Sequence, residues 1–169
     1  MKVNLKNMLE SADLPHGTIT CKNPLVRANI VFIPNNTPSS KNSKINTKQG
    51  SFNSKTVQKY LREHGIQSYS SSRKEVKYYK IIPMTFPVGE LRALFKDANF
   101  PVTIGMHFAR NSKHKWDFHN ACQIILDLFT AFDIIPDDNM DYIIPQCYWM
   151  NNKHFSYDKE KPGVYITIL

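Results

Sequence analysis

The 169-residue chain is long enough for one domain with a real core, and its 41% hydrophobic and 21% charged residues are ordinary for a globular protein. No apolar run approaches the ~20 residues of a membrane span, and the polar residues behind Met1 and Lys2 argue against a signal peptide. The net charge of +8 points instead toward a phosphate-rich partner.

That charge is localised. Residues 34–80 hold ten Lys/Arg against only Glu63 and Glu75, an excess equal to that of the whole chain, so the remainder is neutral. A solvated loop would account for the same composition, but a single positive stretch is also the footprint of nucleic-acid binding. Within it Lys41, Lys44 and Lys48 are the first candidate phosphate contacts. Cys21, Cys122 and Cys147 are odd in number, far apart and outside any CxxC spacing, and they form no zinc-like cluster with the six histidines. The expected setting is a reducing cytoplasm, without structural zinc.

In chain order, residues 1–24 give mixed signals and read as an N-terminal extension; a single domain is expected over 25–169. The β-branched and aromatic run Ala28-Asn29-Ile30-Val31-Phe32-Ile33 predicts a strand, bounded by Pro34. Residues 35–53 are rich in Ser, Asn, Lys and Thr, with only Ile45 and Phe52 as large apolar residues, and predict a long loop. Ser54 opens a helix with Val57, Tyr60 and Leu61 on one side and Gly65 as its stop. A second polar patch, 67–72, precedes 74–82, where Tyr78 and Tyr79 sit among lysines. Residues 87–98 predict a short helix burying Leu91, Leu94 and Phe95. Residues 101–108 alternate as a strand with Val102, Ile104, Met106 and Phe108 inward.

The best-defined helix follows. Ala121, Ile124, Ile125, Leu128, Phe129 and Phe132 form one apolar stripe, with Asn120, Gln123 and Asp127 opposite. Pro136-Asp137-Asp138-Asn139 then predicts a turn, and two strands, 142–150 and 164–169, close the chain. The sum is an α+β fold, a mixed sheet with helices packed on one face.

Acidic residues stand on both sides of the long helix. Asp117 precedes it with His119 two residues on, a spacing that in extended chain points both side chains the same way. Asp137 and Asp138 follow it. Phosphodiester hydrolysis uses a hard cation to polarise a phosphoryl oxygen and activate water, and carboxylates are the ligands such a cation prefers. Each acid also has a plain structural role: Asp117 is a good helix N-cap, and Pro-Asp-Asp-Asn is turn chemistry.

Taken jointly, the run Trp116-Asp117-Phe118-His119-Asn120, the helix with Asp127 on its polar face, and Asp137-Asp138 resemble the core motif of the RusA family of Holliday-junction resolvases. There an Asp-x-Asp-Asn opens a helix, a further Asp lies within it and an Asp-Asp pair follows; the spacing matches without a gap from Asp117 to Asp138. The resemblance covers about residues 101–169, with only an echo over 30–42. It implies a RusA-like fold and a structure-selective endodeoxyribonuclease that is magnesium-dependent, with Mn2+ an alternative. It also implies a homodimer acting on four-way junctions in a bacterial or phage-infected cytoplasm, in recombination or repair. Asp117, His119 and Asp138 would be catalytic and hold metal, with Asp137 beside them, and Lys113 and Lys115 would join the DNA-binding set. Two positions depart from the motif. His119 stands where the family has its second Asp, and Gln123 where it has a Lys, with Lys113 and Lys115 as the cations at hand to replace it. A decayed, non-catalytic module for branched DNA is the alternative.

Geometry sets one further condition. A helix of about 14 residues is roughly 21 Å long, so Asp138 comes back toward Asp117 only if the chain reverses directly after the helix, or if a second subunit supplies one of them.

Overall fold

The computed structural model describes residues 29–39, 44–47, 50–72, 75–80 and 85–169. Lys41, Lys48, Cys21 and the expected N-terminal extension over 1–24 lie outside them. In chain order the elements are β1 (Val31–Pro34), β2 (Lys44–Thr47), β3 (Gly50–Asn53), α1 (Lys55–Glu63), β4 (Ile66–Ser72), β5 (Glu75–Lys80) and α2 (Val88–Phe95). They continue with β6 (Val102–Arg110), α3 (Phe118–Ala131), β7 (Ile143–Cys147), β8 (Phe155–Tyr157) and β9 (Gly163–Ile168).

Strand β6 organises the main sheet. It pairs antiparallel with β9, which pairs antiparallel with β1; along its other edge β7 and then β8 run parallel to it. The register sets Met106 beside Ile166, Phe108 beside Val164, Val31 beside Ile166 and Val102 beside Ile143. All of these belong to one buried cluster, which α1 joins through Val57, Tyr60 and Leu61, α2 through Leu91 and Phe95, and α3 through its whole apolar stripe. Since strand residues alternate between faces, one face of a mixed, open sheet carries the core shared by all three helices. The fold is α+β. Among the described residues no helix is long and apolar enough to cross a membrane.

The other register position carries Phe32, Thr103, Gly105, His107, Tyr165 and Thr167. At the far end of β9, Gly163 is required: a Cβ there would collide with the Ile33 carbonyl and the Phe32 ring, so any side chain would push β1 off its partner.

The helices form for the reasons their sequences give. Ser54 caps α1 by accepting from the Val57 N–H, and Gly65 follows it at φ 84°. Around α3, Cys122 and Leu126 are buried beside the expected stripe, which leaves a polar strip of Asn120, Gln123 and Asp127.

Elsewhere composition misled. Within 35–53, expected as loop throughout, β2 and β3 form a two-stranded ribbon in which Ile45 and Phe52, the two large apolar residues of the stretch, are register partners. The polar patch 67–72 lies in β4, paired with β5. Local antiparallel pairing satisfies the backbone of these polar runs without demanding an apolar alternation. Strand β8 was not expected either. Its three residues are too few to show a period, and it exists because β6 extends beyond β7 and offers a free edge.

His64, the C-cap of α1, is fully buried against Tyr60 and Phe86, with ring centroids 4.4 and 5.7 Å away. Thr85 Oγ1 donates to the Glu63 carbonyl at 2.5 Å and so accepts from His64 Nδ1 at 3.2 Å, while Nε2 has no hydrogen-bond partner. Burial pushes the imidazole down to about 4, against a smaller opposing pull from the Pro34 carbonyl. The unfolded chain therefore binds the extra proton first as pH falls. Stability from this residue is complete above pH ~6.5 and is lost progressively toward pH ~4, by an amount on the order of 3 kcal/mol. Thermal melts are expected to show a Tm falling between pH 7 and 4.5, with a shallower fall in His64→Phe. An equal slope in both proteins would assign the acid sensitivity elsewhere.

Candidate functional site

The chain reverses directly after α3. Asp133 takes a left-handed conformation at φ 53°; its N–H bonds the Thr130 carbonyl at 3.1 Å and the Ile134 N–H bonds the Phe129 carbonyl at 2.9 Å. This is the paired bonding of a Schellman motif, and Ile134 and Phe129 are both buried. Arg92 from α2 donates to the Phe132 carbonyl at 3.0 Å and satisfies another open end of the helix. Ile135 is buried too, so the connection is drawn back onto the core.

The reversal delivers Asp138 to the polar strip of α3. Gln123 Nε2 donates to Asp138 Oδ2 at 2.5 Å and to Asp127 Oδ1 at 3.0 Å, so one neutral amide stands between two carboxylates. Asp127 and Gln123 are one helical turn apart, which explains their pairing; Asp138 comes from fifteen residues on. Of the two acids in the turn, Asp137 is exposed and bonds within the turn itself. It accepts the Asp138 N–H and the Asn139 side-chain amide, both at 2.8 Å, and Asn139 in turn accepts the Asp141 N–H at 2.9 Å. The turn chemistry expected of Pro-Asp-Asp-Asn thus leaves Asp138, the less exposed of the two acids, to reach Gln123.

Asp117 is the N-cap of α3. Its Oδ1 accepts from the His119 N–H at 3.0 Å and the Asn120 N–H at 3.4 Å. Both bonds fall on one oxygen, so the cap does not need the second. His119 lies within the helix, and the extended geometry expected to align it with Asp117 does not apply. The cap instead brings its Nδ1 to 3.8 Å from Asp117 Oδ1, on an imidazole that is 90% exposed. From Asp117 to Gln123 the helix rises about 9 Å.

The site therefore spreads over two clusters, Asp117 with His119 at the helix start and Gln123 with Asp127 and Asp138 along its side. Among the described residues no three His, Cys, Asp or Glu side chains form a ready-made chelate. The donors are hard oxygens of the kind a divalent cation takes, and Gln123 stands between those of Asp127 and Asp138. Neither described cysteine is poised as a nucleophile: burial raises the Cys122 thiol far above its usual value, and it raises Cys147 as well.

Arg110 was not among the candidate site residues. It closes β6 and is almost wholly buried, and its Nη1 donates to the Thr37 carbonyl. Its guanidinium lies 5.1 Å from the centroid of the Trp116 ring, and its Nε has no hydrogen-bond partner. Burial depresses its pKa below the ordinary arginine value, with a smaller opposing effect from Tyr60, and among the described residues no carboxylate pairs with it. The Asn111 N–H donates to Asn36 Oδ1 at 3.2 Å. The start of the basic segment is thereby tied to the end of β6, a few residues before Asp117. Lys113 and Lys115 lie in the exposed link to α3, and Lys44 opens β2.

No family model matches the chain, and no curated protein matches it significantly.

Capping and charge can be separated at Asp117. Asn caps a helix as well as Asp does, whereas Ala does not. Asp117→Ala is expected to lower unfolding stability by about 1 kcal/mol and Asp117→Asn by a few tenths at most. Urea melts check this; equal losses in both would mean that the charge itself, not the cap, stabilises α3.

Proposed function

We propose that this protein is a metal-dependent endonuclease of the RusA type, selective for branched DNA. The observation that carries the reading is the return of Asp138 to the polar strip of α3, beside Asp127 and on the helix that Asp117 begins. That convergence uses the residues in which the sequence resembles the family. It removes the need for a second subunit to bring Asp138 back to the helix.

Asp127 and Asp138 beside Gln123, and Asp117 with His119 at the helix start, would each offer ligands to a cation, which would polarise the scissile phosphodiester and activate water. The protein's own residues supply the rest. Gln123 orients Asp138, Asp137 fixes the turn that presents it, and Arg110 provides a fixed positive charge behind Trp116. The basic segment over 34–80, with Lys41, Lys44 and Lys48, and the link bearing Lys113 and Lys115 supply phosphate contacts. A homodimer would present two such sites with the two-fold symmetry of a four-way junction.

A second reading rests on a specific observation. The carboxylates are already engaged by the protein's own groups, Asp117 with its helix and Asp138 with Gln123, as a non-catalytic branched-DNA-binding module would tolerate.

Incubation with a synthetic four-way junction and with linear duplex, each with Mg2+ or Mn2+, separates the two readings. Junction nicking is expected, lost by at least 100-fold in Asp117→Asn and Asp138→Asn, while junction binding in EDTA persists. Mn2+ is expected to support faster nicking than Mg2+, because imidazole nitrogen suits Mn2+ better, and His119→Asp is expected to narrow that difference. Tight binding without nicking under either metal would favour the non-catalytic module, and normal nicking by both Asn variants would remove these carboxylates from the chemistry.

A further inference from the structure

Beyond the acidic residues, one exposed feature is built with more rigidity than a surface loop needs. Met150 and Lys153 exchange two backbone hydrogen bonds, each 3.0 Å, around Asn151 and Asn152 at φ 50° and 59°. Two consecutive left-handed residues make a type I′ turn, the tightest connection between antiparallel strands. The residues just outside it, Trp149 and His154, face one another with ring centroids 5.5 Å apart, and Trp149 is 62% exposed.

Both arms of this hairpin are fixed to the sheet by one buried side chain. His107 Nδ1 donates to the Tyr148 carbonyl at 3.0 Å, and its Nε2 pairs with Ser156 Oγ at 3.1 Å. The Tyr148 N–H bonds the Met106 carbonyl at 3.0 Å. Trp149 is therefore exposed on a rigid support. Aromatic contacts continue from it toward the acidic site: His154 to Phe155 at 4.7 Å, then Phe155 to Trp116 at 5.9 Å, next to Asp117. Tyr157, 49% exposed on β8, has Lys113 Nζ 5.5 Å from its ring centroid.

Charge and tip chemistry select the occupant. Residues 110–116 and 149–157 carry Arg110, Lys113, Lys115 and Lys153 and no acidic residue. The hairpin tip is Asn-Asn-Lys, which is unsuited to insertion into lipid. An exposed indole beside cations matches a ligand that combines flat apolar faces with negative charge, as an unstacked nucleotide does.

We propose that the Trp149 hairpin is a stacking platform for unpaired bases of DNA, continuous with the Asp117 end of the candidate site. The inference rests on the nucleic-acid reading above and gives that site a basis for preferring open or branched DNA over paired duplex.

Because Trp116 and Trp149 are the chain's two tryptophans, Trp116→Phe makes Trp149 the sole indole reporter. Its emission is expected to be quenched by single-stranded oligothymidine and by a four-way junction with unpaired bases at its centre, but not by linear duplex. In the full chain Trp149→Ala is expected to weaken oligothymidine binding roughly 5- to 100-fold with duplex affinity unchanged, and Trp149→Phe to retain most of it. Oligothymidine binding that leaves Trp149 emission and the Trp149→Ala affinity unaltered would overturn the platform alone. Quenching by anionic lipid vesicles in place of oligothymidine would overturn it in favour of a membrane contact. Failure to bind either single-stranded DNA or duplex would overturn the nucleic-acid reading, and the platform with it.

Discussion

A parallel pair of strands joined through a helix separates the residues before the helix from those after it by the helix's own length. In this chain β6 and β7 are joined in that way by α3, about 21 Å long. Any site that uses both ends of the connection depends on how the chain turns at the helix's C-terminus. The turn here is made by Asp133, whose left-handed conformation lets Ile134 and Ile135 fold straight onto the core. Burial of two isoleucines outweighs the modest conformational cost of a non-glycine residue in that region. Everything downstream follows from it: the position of the Asp137 turn, the approach of Asp138 to Gln123, and the entry of β7 beside β6.

The electrostatics of the two clusters differ. Asp117 lies at the positive end of the α3 dipole and is held by two backbone N–H groups, so its charge is compensated by the fold. Asp127 and Asp138 both accept from the Gln123 amide. Gln123 stands where the RusA motif that the sequence resembles has a lysine. Relative to that motif, Gln123 exchanges a permanent positive charge for a pair of amide hydrogens. Arg110, held by Thr37 and Trp116, carries a buried positive charge at the end of β6.

Much of this was legible in the sequence because the periodicities are strong. The α3 stripe, the β6 alternation, the Ser54 cap and the Gly65 stop each rest on a local rule that the core also favours. The polar strip of α3 could have been read further, since Gln123 and Asp127 are one turn apart. What local rules could not supply was the partner from the far side of the turn. Arg110 was invisible for a similar reason: an arginine ending a strand reads as exposed, and only the meeting of Thr37, Tyr60 and Trp116 around it makes it buried. The β2–β3 ribbon and β4 were missed because most of their residues favour loops singly, and β5 because its Val76, Tyr78 and Tyr79 sit among charged residues; all four become strands through pairing with one another. The extended alignment expected for Asp117 and His119 failed because the helix begins one residue after Asp117. Their proximity comes from the cap.

The central claim, that the carboxylates along α3 form a cation site, is tested most directly by paramagnetic broadening in the full-length protein without DNA. Substoichiometric Mn2+ is expected to broaden the backbone amide resonances of residues 117–127 and 137–139 selectively, and Asp138→Asn is expected to reduce that effect sharply. Uniform weak broadening, or broadening centred on residues outside these two stretches and unaffected by Asp138→Asn, would contradict it.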